Sequence, residues 1–422
     1  MNKVFSLENV TLNITDGKHG DCINEHDSGF YFISVKDLEP YKINYKKARQ
    51  ITEKEFIETH KRTKLEVGDI LIANSGNTIG KMLFIKDSPN VSKTTFQKSV
   101  AVIKPNTSLI NGNFLFYNLL ANVNGLRKAA VGSAQPNLLL RDLRSFKIDV
   151  NESLKNQFNI AKVLSDLDSK IETNNKINQE LEAMAKTLYD YWFVQFDFPD
   201  KNGKPYKSSG GLMVFNEELK REIPVGWEVK ELGDISEIKR GKLVTAKTAN
   251  LEGKFKVVSA GISYSYFHSK SNRTENTITV SGSGANAGFI NFWREPIFAN
   301  DCTTVRGKTD NETLIILEFL RMRQNYIFQQ ARGSAQPHVY PKDISILKIA
   351  VPNNELFNEF GKKILPSNDL ISNNLKQNQK LSELRDWLLP MLMNGQVSVG
   401  YAEQEVESLG LVAEENTKYE KG

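Results

Sequence analysis

Cysteine and histidine are the scarcest chemistry-bearing residues in this chain. Two Cys in 422 residues, Cys22 and Cys302, lie in different halves with no CxxC spacing. That excludes a disulfide framework and gives no zinc signature. The five His are scattered, with no HExxH or paired-ligand spacing. No apolar run is long enough to span a bilayer, and the first residues, MNKVFSLENVTLNITDGK, lack the apolar core of a secretory signal. A cytoplasmic location without membrane association is expected. No GxSxG elbow is present, nor an Asn- or Asp-Pro-Pro-aromatic tetrapeptide.

Two glycine-rich stretches approach nucleotide motifs without reaching them. Gly76-Asn-Thr-Ile-Gly-Lys-Met is one residue short of a phosphate loop and has no Ser or Thr after its Lys. Gly282-Ser-Gly-Ala-Asn-Ala-Gly has the wrong final spacing for a dinucleotide fingerprint. Both read as tight turns in β structure. No catalytic centre is legible. The net charge of +5 conceals an asymmetry: residues 401–422 hold six Glu against two Lys, so the remainder carries +9. A modest basic excess over the folded part suits a polyanionic partner.

What is present is a duplication. GSAQPN at 132–137 returns as GSAQPH at 333–338. Behind it, Asp142, Lys147, Ile148 and Val150 answer to Asp343, Lys348, Ile349 and Val351. Leu7 to Gly17 resembles Leu232 to Gly241, and the turn starting at Ser75-Gly76 is set against Ser281-Gly282. The period is too long for a solenoid and reads as a whole domain plus its trailing helix, repeated. The β-branched runs Ile70–Ile72, Ser99–Ile103, Thr277–Val280 and Cys302–Val305 read as strands. Apolar spacing near Phe114–Ala121 and Leu314–Tyr326 reads as helix.

Each copy is followed by apolar residues alternating in steps of four and three, the seam of a coiled coil. The first seam is Ile160, Leu164, Leu167, Ile171, Asn174, Asn178, Leu181, Ala185 and Leu188. The second is Phe360, Ile364, Ser367, Ile371, Asn374, Asn378, Leu381, Arg385 and Leu388. No Gly or Pro interrupts 156–192, so that helix can run about 55 Å at about 1.5 Å per residue. Pro366 is expected to kink or restart the second helix, and Arg385 to weaken its seam. In an antiparallel pair, Asn174 would face Asn378, and Asn178 would face Asn374, each amide finding a partner. The competing arrangement puts these Asn on the wet flank of a broader amphipathic helix. Leu188, Trp192, Trp387 and Leu388 at the coil ends read either as partner-docking surface or as caps of the coil. The stretch between first helix and second domain, rich in Gly, Pro, Ser and Lys, reads as a linker.

The expected architecture is α+β: two similar, mostly-β domains with pseudo-twofold symmetry, separated by two long antiparallel coiled-coil helices. The boundaries are 1–153 for the first domain, 154–192 for the first helix and 193–222 for the linker. They continue with 223–354 for the second domain, 355–391 for the second helix, and 392–422 for a segment ending in an acidic, disordered tail.

Two similar but divergent domains on a rigid rod suit the reading of two different short sequences on one duplex. Candidate DNA-binding residues in the first copy are Lys18, Asn74, Ser75, Asn77, Thr78, Lys81, Lys93 and Lys98. In the second they are Arg240, Lys242, Arg273, Ser281, Ser283, Asn286 and Arg294. Gln135 and Gln336, in the repeated pentapeptide, either reach DNA or anchor each domain on its helix.

These features together resemble the specificity subunit of type I restriction–modification systems. The resemblance covers nearly the whole chain. It is most specific in the two GSAQP segments, in FDFPDKNGKPYKSSGGLMVFNEELKREIPVGWEVKELGDI (196–235), and in LRDWLLPMLMNGQV (384–397). It implies two target-recognition domains, each reading one half of a bipartite asymmetric site in double-stranded DNA, with the helix pair spacing the halves. It also implies docking of two modification subunits, which carry S-adenosylmethionine and methylate adenine, and of restriction subunits using ATP and Mg. This chain would then hold no cofactor, no metal and no catalytic residue. The rival readings are a self-contained DNA methyltransferase or nuclease, and a coiled-coil scaffold that binds only proteins.

Overall fold

The computed structural model describes residues 2–132, 136–245, 247, 252–331, 337–352 and 354–408. They divide into two compact units, 1–173 with 378–422, and 174–377. Each unit has its own core.

In the first unit, strand Asn2–Ser6 pairs antiparallel with Lys147–Asn151. A four-stranded antiparallel sheet follows, in the order Thr11–Asp16, Val100–Pro105, Ile70–Ala73, Met82–Phe84. A three-stranded sheet orders Arg49–Gln50, Tyr31–Ile33 and Thr94–Phe96, the last pair parallel. The second unit repeats all three sheets. Glu228–Glu231 pairs with Lys348–Val351. Ser236–Arg240, Cys302–Gly307, Thr277–Ser281 and Ile290–Trp293 form the four-stranded sheet. Tyr264–His268, Phe255–Val258 and Phe298–Ala299 form the three-stranded one, again with one parallel pair. The expected duplication therefore holds at the level of topology. The central strands Ile70–Ala73 and Thr277–Ser281 are buried along their whole length. That is why their sequences read as continuous apolar and β-branched runs rather than as alternation. One helix, Glu53–Thr63, has no counterpart among the described residues of the second unit.

The helices begin where the chain supplies caps. Asn111 Oδ1 accepts from Phe114 N at 3.0 Å at the start of Gly112–Ala121, and Thr309 Oγ1 accepts from Glu312 N at 3.2 Å before Asp310–Met322. Each such cap is worth about 1 kcal/mol.

The first long helix is Leu154–Tyr189 and the second is Asn354–Met393. Within the second unit the contacts between them run in opposite directions along the chain. Asn174 Nδ2 donates to Gln377 Oε1 at 2.6 Å, Asn374 Nδ2 donates to Asn178 Oδ1 at 2.8 Å, and Trp192 packs on Phe360 at a centroid distance of 5.6 Å. The helices are thus antiparallel there. In the first unit Leu164, Leu167 and Ile171 share a core with Leu381, Leu388, Leu389 and Leu392. Of the remaining seam positions, Ile364, Ile371, Asn374 and Asn378 are buried, and Leu181 and Leu188 are half-buried.

Several expectations need correction. The second helix runs unbroken through Pro366, whose ring lies on the exposed side. Arg385 is no defect of the seam: its Nη1 lies 2.7 Å from Asp168 Oδ1, so the charge it brings is met by a partner on the first helix. Trp192 and Leu388 are buried, at 2% and 0% exposure, and serve the two cores rather than an outer surface. Trp387 stays exposed beside Tyr401. The supposed linker is folded. The first helix ends in a π-helical turn, Asp190–Val194, that directs Trp192 and Phe193 inward. Met213–Asn216 then pairs with Arg221–Pro224. Phe196, Phe198, Tyr206 and Trp227 stack together, with the Arg221 guanidinium 4.5 Å from the Phe196 ring centre. The Gly and Pro content masked these aromatics, each of which stabilises by roughly 1.5–3 kcal/mol when buried. Beyond residue 400, Val399–Ser408 is helical and seats Ala402 in the first core; residues 409–422 lie outside the described residues.

Candidate nucleic-acid interface

One end of each four-stranded sheet gathers the segments that the duplication had marked. In the first unit, strand Thr11–Asp16 runs into Gly17 and Lys18. Gly17 N donates to Val100 O at 3.1 Å, and Lys18 N to Phe96 O at 2.9 Å. Lys98 N returns to Lys18 O at 3.0 Å, and Asn74 N donates to Ser99 O at 3.0 Å. In the second unit Gly241 N donates to Cys302 O at 2.8 Å and Lys242 N to Ala299 O at 2.9 Å. Backbone crosses backbone here. A Cβ on Gly17 would lie 1.8 Å from Phe96 O, and one on Gly241 2.0 Å from Asn300 O, so only glycine fits.

The glycine-rich turns occupy the same end. Gly76–Thr78 and Gly284–Asn286 are each one turn of 3-10 helix, opened by a glycine at φ 70° and 76°. The structural match is therefore Ser75-Gly76 with Ser283-Gly284. The sequence register that set Ser75 against Ser281 is two residues out, because Asn74 takes the place held by Gly282.

The repeated segment is strapped across these turns. Gly76 N donates to Pro136 O at 2.8 Å and Leu138 N to Asn74 O at 2.8 Å. In the second unit Gly284 N donates to Pro337 O at 3.0 Å and Val339 N to Gly282 O at 3.1 Å. A proline has no N–H and presents only its carbonyl. That carbonyl holds the turn in both copies. Gln135 and Gln336 lie outside the described residues.

The candidates divide by what they already touch. Asn77, Thr78 and Lys98 are exposed at this end of the first unit, and Ser75 is half-exposed. Asn74 is buried, and its Oδ1 has no hydrogen-bond partner among the described residues. Lys81 is half-buried, donating from Nζ to Val35 O at 3.3 Å. Lys93 is exposed but sits at the opposite end of strand Thr94–Phe96. Lys18 is tied to Glu55. In the second unit Arg240, Lys242 and Asn286 are exposed. Arg273 lies against the sheet, donating from Nε to Thr304 Oγ1 at 2.8 Å and from Nη2 to Arg240 O at 3.0 Å. Ser281 Oγ donates to Gly261 O at 3.0 Å, and Ser283 Oγ to Asp301 Oδ2 at 2.5 Å. Arg294 is turned inward. Its Nη2 is 3.0 Å from Glu182 Oε1, its Nε 2.8 Å from Asn368 Oδ1, and its guanidinium 4.9 Å from the Phe292 ring centre. It fastens the domain to both long helices of its unit and is not a surface donor. Sequence reasoning misplaced it because a lone Arg carries no mark of its partners.

Sequence reasoning also missed the helix Glu53–Thr63, which supplies Glu55 to Lys18 and Arg62 to Asp16. A signal was present: Thr52 with Glu55 three residues on is a helix-start pattern, and Thr52 Oγ1 accepts from Glu55 N at 3.4 Å. Cys22 and Cys302 are buried, and burial pushes the Cys302 thiol up to about 12. No helix among the described residues is long and apolar enough to cross a membrane.

Comparison with known proteins places the chain in a family. The family model for the type I restriction modification DNA specificity domain matches twice, at residues 18–183 and 224–385. The chain is 28% identical over 394 residues to the type I restriction enzyme MjaIX specificity subunit of Methanocaldococcus jannaschii, covering 87% of each. It is 23% identical over 409 residues to the HindI specificity subunit of Haemophilus influenzae, covering 79% of this chain and 87% of that one. The crystal structure of a type I restriction–modification S subunit from M. genitalium shares the fold, with a TM-score of 0.58 at 17% identity, over 93% of this chain and 96% of that one. With both of its copies matched, and the matches taking in most of its length, the chain belongs to the type I restriction–modification DNA specificity family.

Proposed function

We propose that this chain is the DNA-recognition subunit of a type I restriction–modification complex, and that the glycine-rich end of each four-stranded sheet reads one half of a bipartite, asymmetric site. The carrying observation is that both units build the same sheet end from the same parts, while the side chains displayed there differ. Asn77, Thr78 and Lys98 stand on one, and Arg240, Lys242 and Asn286 on the other. A shared scaffold with divergent donors is what an asymmetric site requires. Asn suits adenine edges and Arg or Lys guanine edges, while most cations at such a surface touch phosphate.

Residues 1–153 and 223–354 are the two recognition domains in this reading. The antiparallel helix pair sets the gap between half-sites and docks two modification subunits. Adenine methylation from S-adenosylmethionine then belongs to those partners, and ATP- and Mg-dependent cleavage to restriction subunits. The chain itself is the recognition component and not a catalyst. Exchanging residues 1–153 for the matching domain of a relative tests this. The methylated site is expected to change in one half and keep the other; a change in both halves defeats the modular reading. Methylation of DNA by the purified chain alone, with labelled S-adenosylmethionine, would defeat it as well.

A further inference from the structure

The two sheet ends carry a lysine at the same backbone position, and among the described residues only one of them is paired. Lys18 and Lys242 each follow the glycine that crosses the neighbouring strand, and each donates its own N–H back to the sheet, at 2.9 Å in both cases. Lys242 is exposed, and its side chain has no partner among the described residues. Lys18 is folded down, its side chain 23% exposed, with its ammonium on the carboxylate of Glu55, itself 17% exposed. Glu55 comes from helix Glu53–Thr63, the element that has no counterpart among the described residues of the second unit. That helix is fixed independently of the lysine. Arg62 pairs with Asp16 and donates from Nε to Thr15 Oγ1 at 3.1 Å, and Thr63 Oγ1 is 3.1 Å from Thr95 Oγ1. Glu55 is therefore held in place, and the pair presents no net charge at the surface.

We propose that Glu55 withholds Lys18 from DNA, so that the first recognition domain meets the phosphate backbone with one cation fewer than the second. This rests on the sheet-end reading of recognition given above. The physical basis is competition. A phosphate must replace a carboxylate that is already in contact and anchored. The bond to Glu55 also holds the Lys18 ammonium above its ordinary pKa and the Glu55 carboxyl below its own, so neither is discharged near neutral pH. The consequence is a built-in bias: non-specific attraction is stronger at the second half-site, and the first depends more on base contacts.

The test uses the full chain assembled with its modification subunits and a random-sequence duplex, titrated across a series of salt concentrations. Each phosphate contact adds about −0.9 to the slope of log affinity against log salt. Glu55→Gln is expected to steepen the slope by about 0.9 and to tighten binding severalfold at low salt. Lys18→Met alone is expected to leave the slope unchanged, and in the Glu55→Gln background to bring it back to the parent value. An unchanged slope for Glu55→Gln, or a shallower slope for Lys18→Met alone, overturns the masking. Lys242→Met separates this from the underlying reading. Its slope should become shallower by about 0.9, and if it does not, the sheet end is not the DNA face whatever Glu55 does.

Discussion

Arg385 on the second long helix donates to Asp168 on the first across 2.7 Å, and two tyrosines of the first domain close on the same carboxylate. Tyr117 donates to Asp168 Oδ2 at 2.7 Å and Tyr41 to Oδ1 at 3.2 Å. Burial, reinforced by the Asp168 charge, pushes the Tyr41 hydroxyl up to about 12 and the Tyr117 hydroxyl further still. Both remain donors at any working pH. One carboxylate thus ties both long helices to the first domain. Asp168→Ala removes the acceptor of three donors and leaves Arg385, 19% exposed, without its main partner. It is expected to destabilise the first unit by about 3 kcal/mol, read as a lower denaturation midpoint. Asp168→Asn, which keeps an acceptor, should lose less. Equal losses for the two variants would contradict the role given to the charge.

The second unit solves the same problem with other residues. Arg294, Glu182 and Asn368 do the fastening there. Arg294→Met is expected to lower stability by about 2 kcal/mol through lost hydrogen bonds to charged groups. It should leave the salt slope of DNA binding at the parent value. A slope shallower by about 0.9 would return Arg294 to the DNA face.

Gly17 and Gly241 separate the half-sites by mutation. An added methyl meets a backbone carbonyl in each case, at 1.8 and 2.0 Å, so the crossing itself must give way. Gly17→Ala or Gly241→Ala is expected to cost about 1–3 kcal/mol by overpacking. Each should impair recognition of one half-site and spare the other, measured by competition with duplexes altered in either half. Loss of both half-sites from either substitution would show that the sheet ends do not act separately.

Glu318 gives the second unit a pH signature. It is 3% exposed, and burial pushes its carboxyl above the ordinary carboxylate range, against the pull of Arg321 at 2.9 Å. A carboxyl whose folded pKa is raised contributes stability that is fully present below its unfolded value, near 4.5, and that is lost as pH rises through the folded value. The advantage of the parent over Glu318→Gln in thermal midpoint should therefore be greatest at acidic pH and shrink toward neutral. An advantage that grows toward neutral pH would reverse the sign of this account.

The repeat was legible because its parts answer to local rules. Leu7–Gly17 and Leu232–Gly241 each become a short helix, a strand and a crossing glycine. The seam from Ile160 to Leu188 was legible because steps of four and three place its residues on one helical face. The aromatic packing of 196–227 was not legible, since Phe196 and Trp227 meet only after the chain has turned back through a hairpin.

Period, spacing and duplication are properties of the chain itself. They were sufficient to set out two like domains and two long helices, while the role in recognition was what the resemblance to a known family implied. Which cation is free and which is occupied was decided only in three dimensions. Lys18 and Lys242 follow matching glycines, yet one meets Glu55 from 37 residues away and the other meets no carboxylate among the described residues. Side-chain availability depends on partners that approach through space, and an ion pair between distant residues leaves no trace in the local pattern of either.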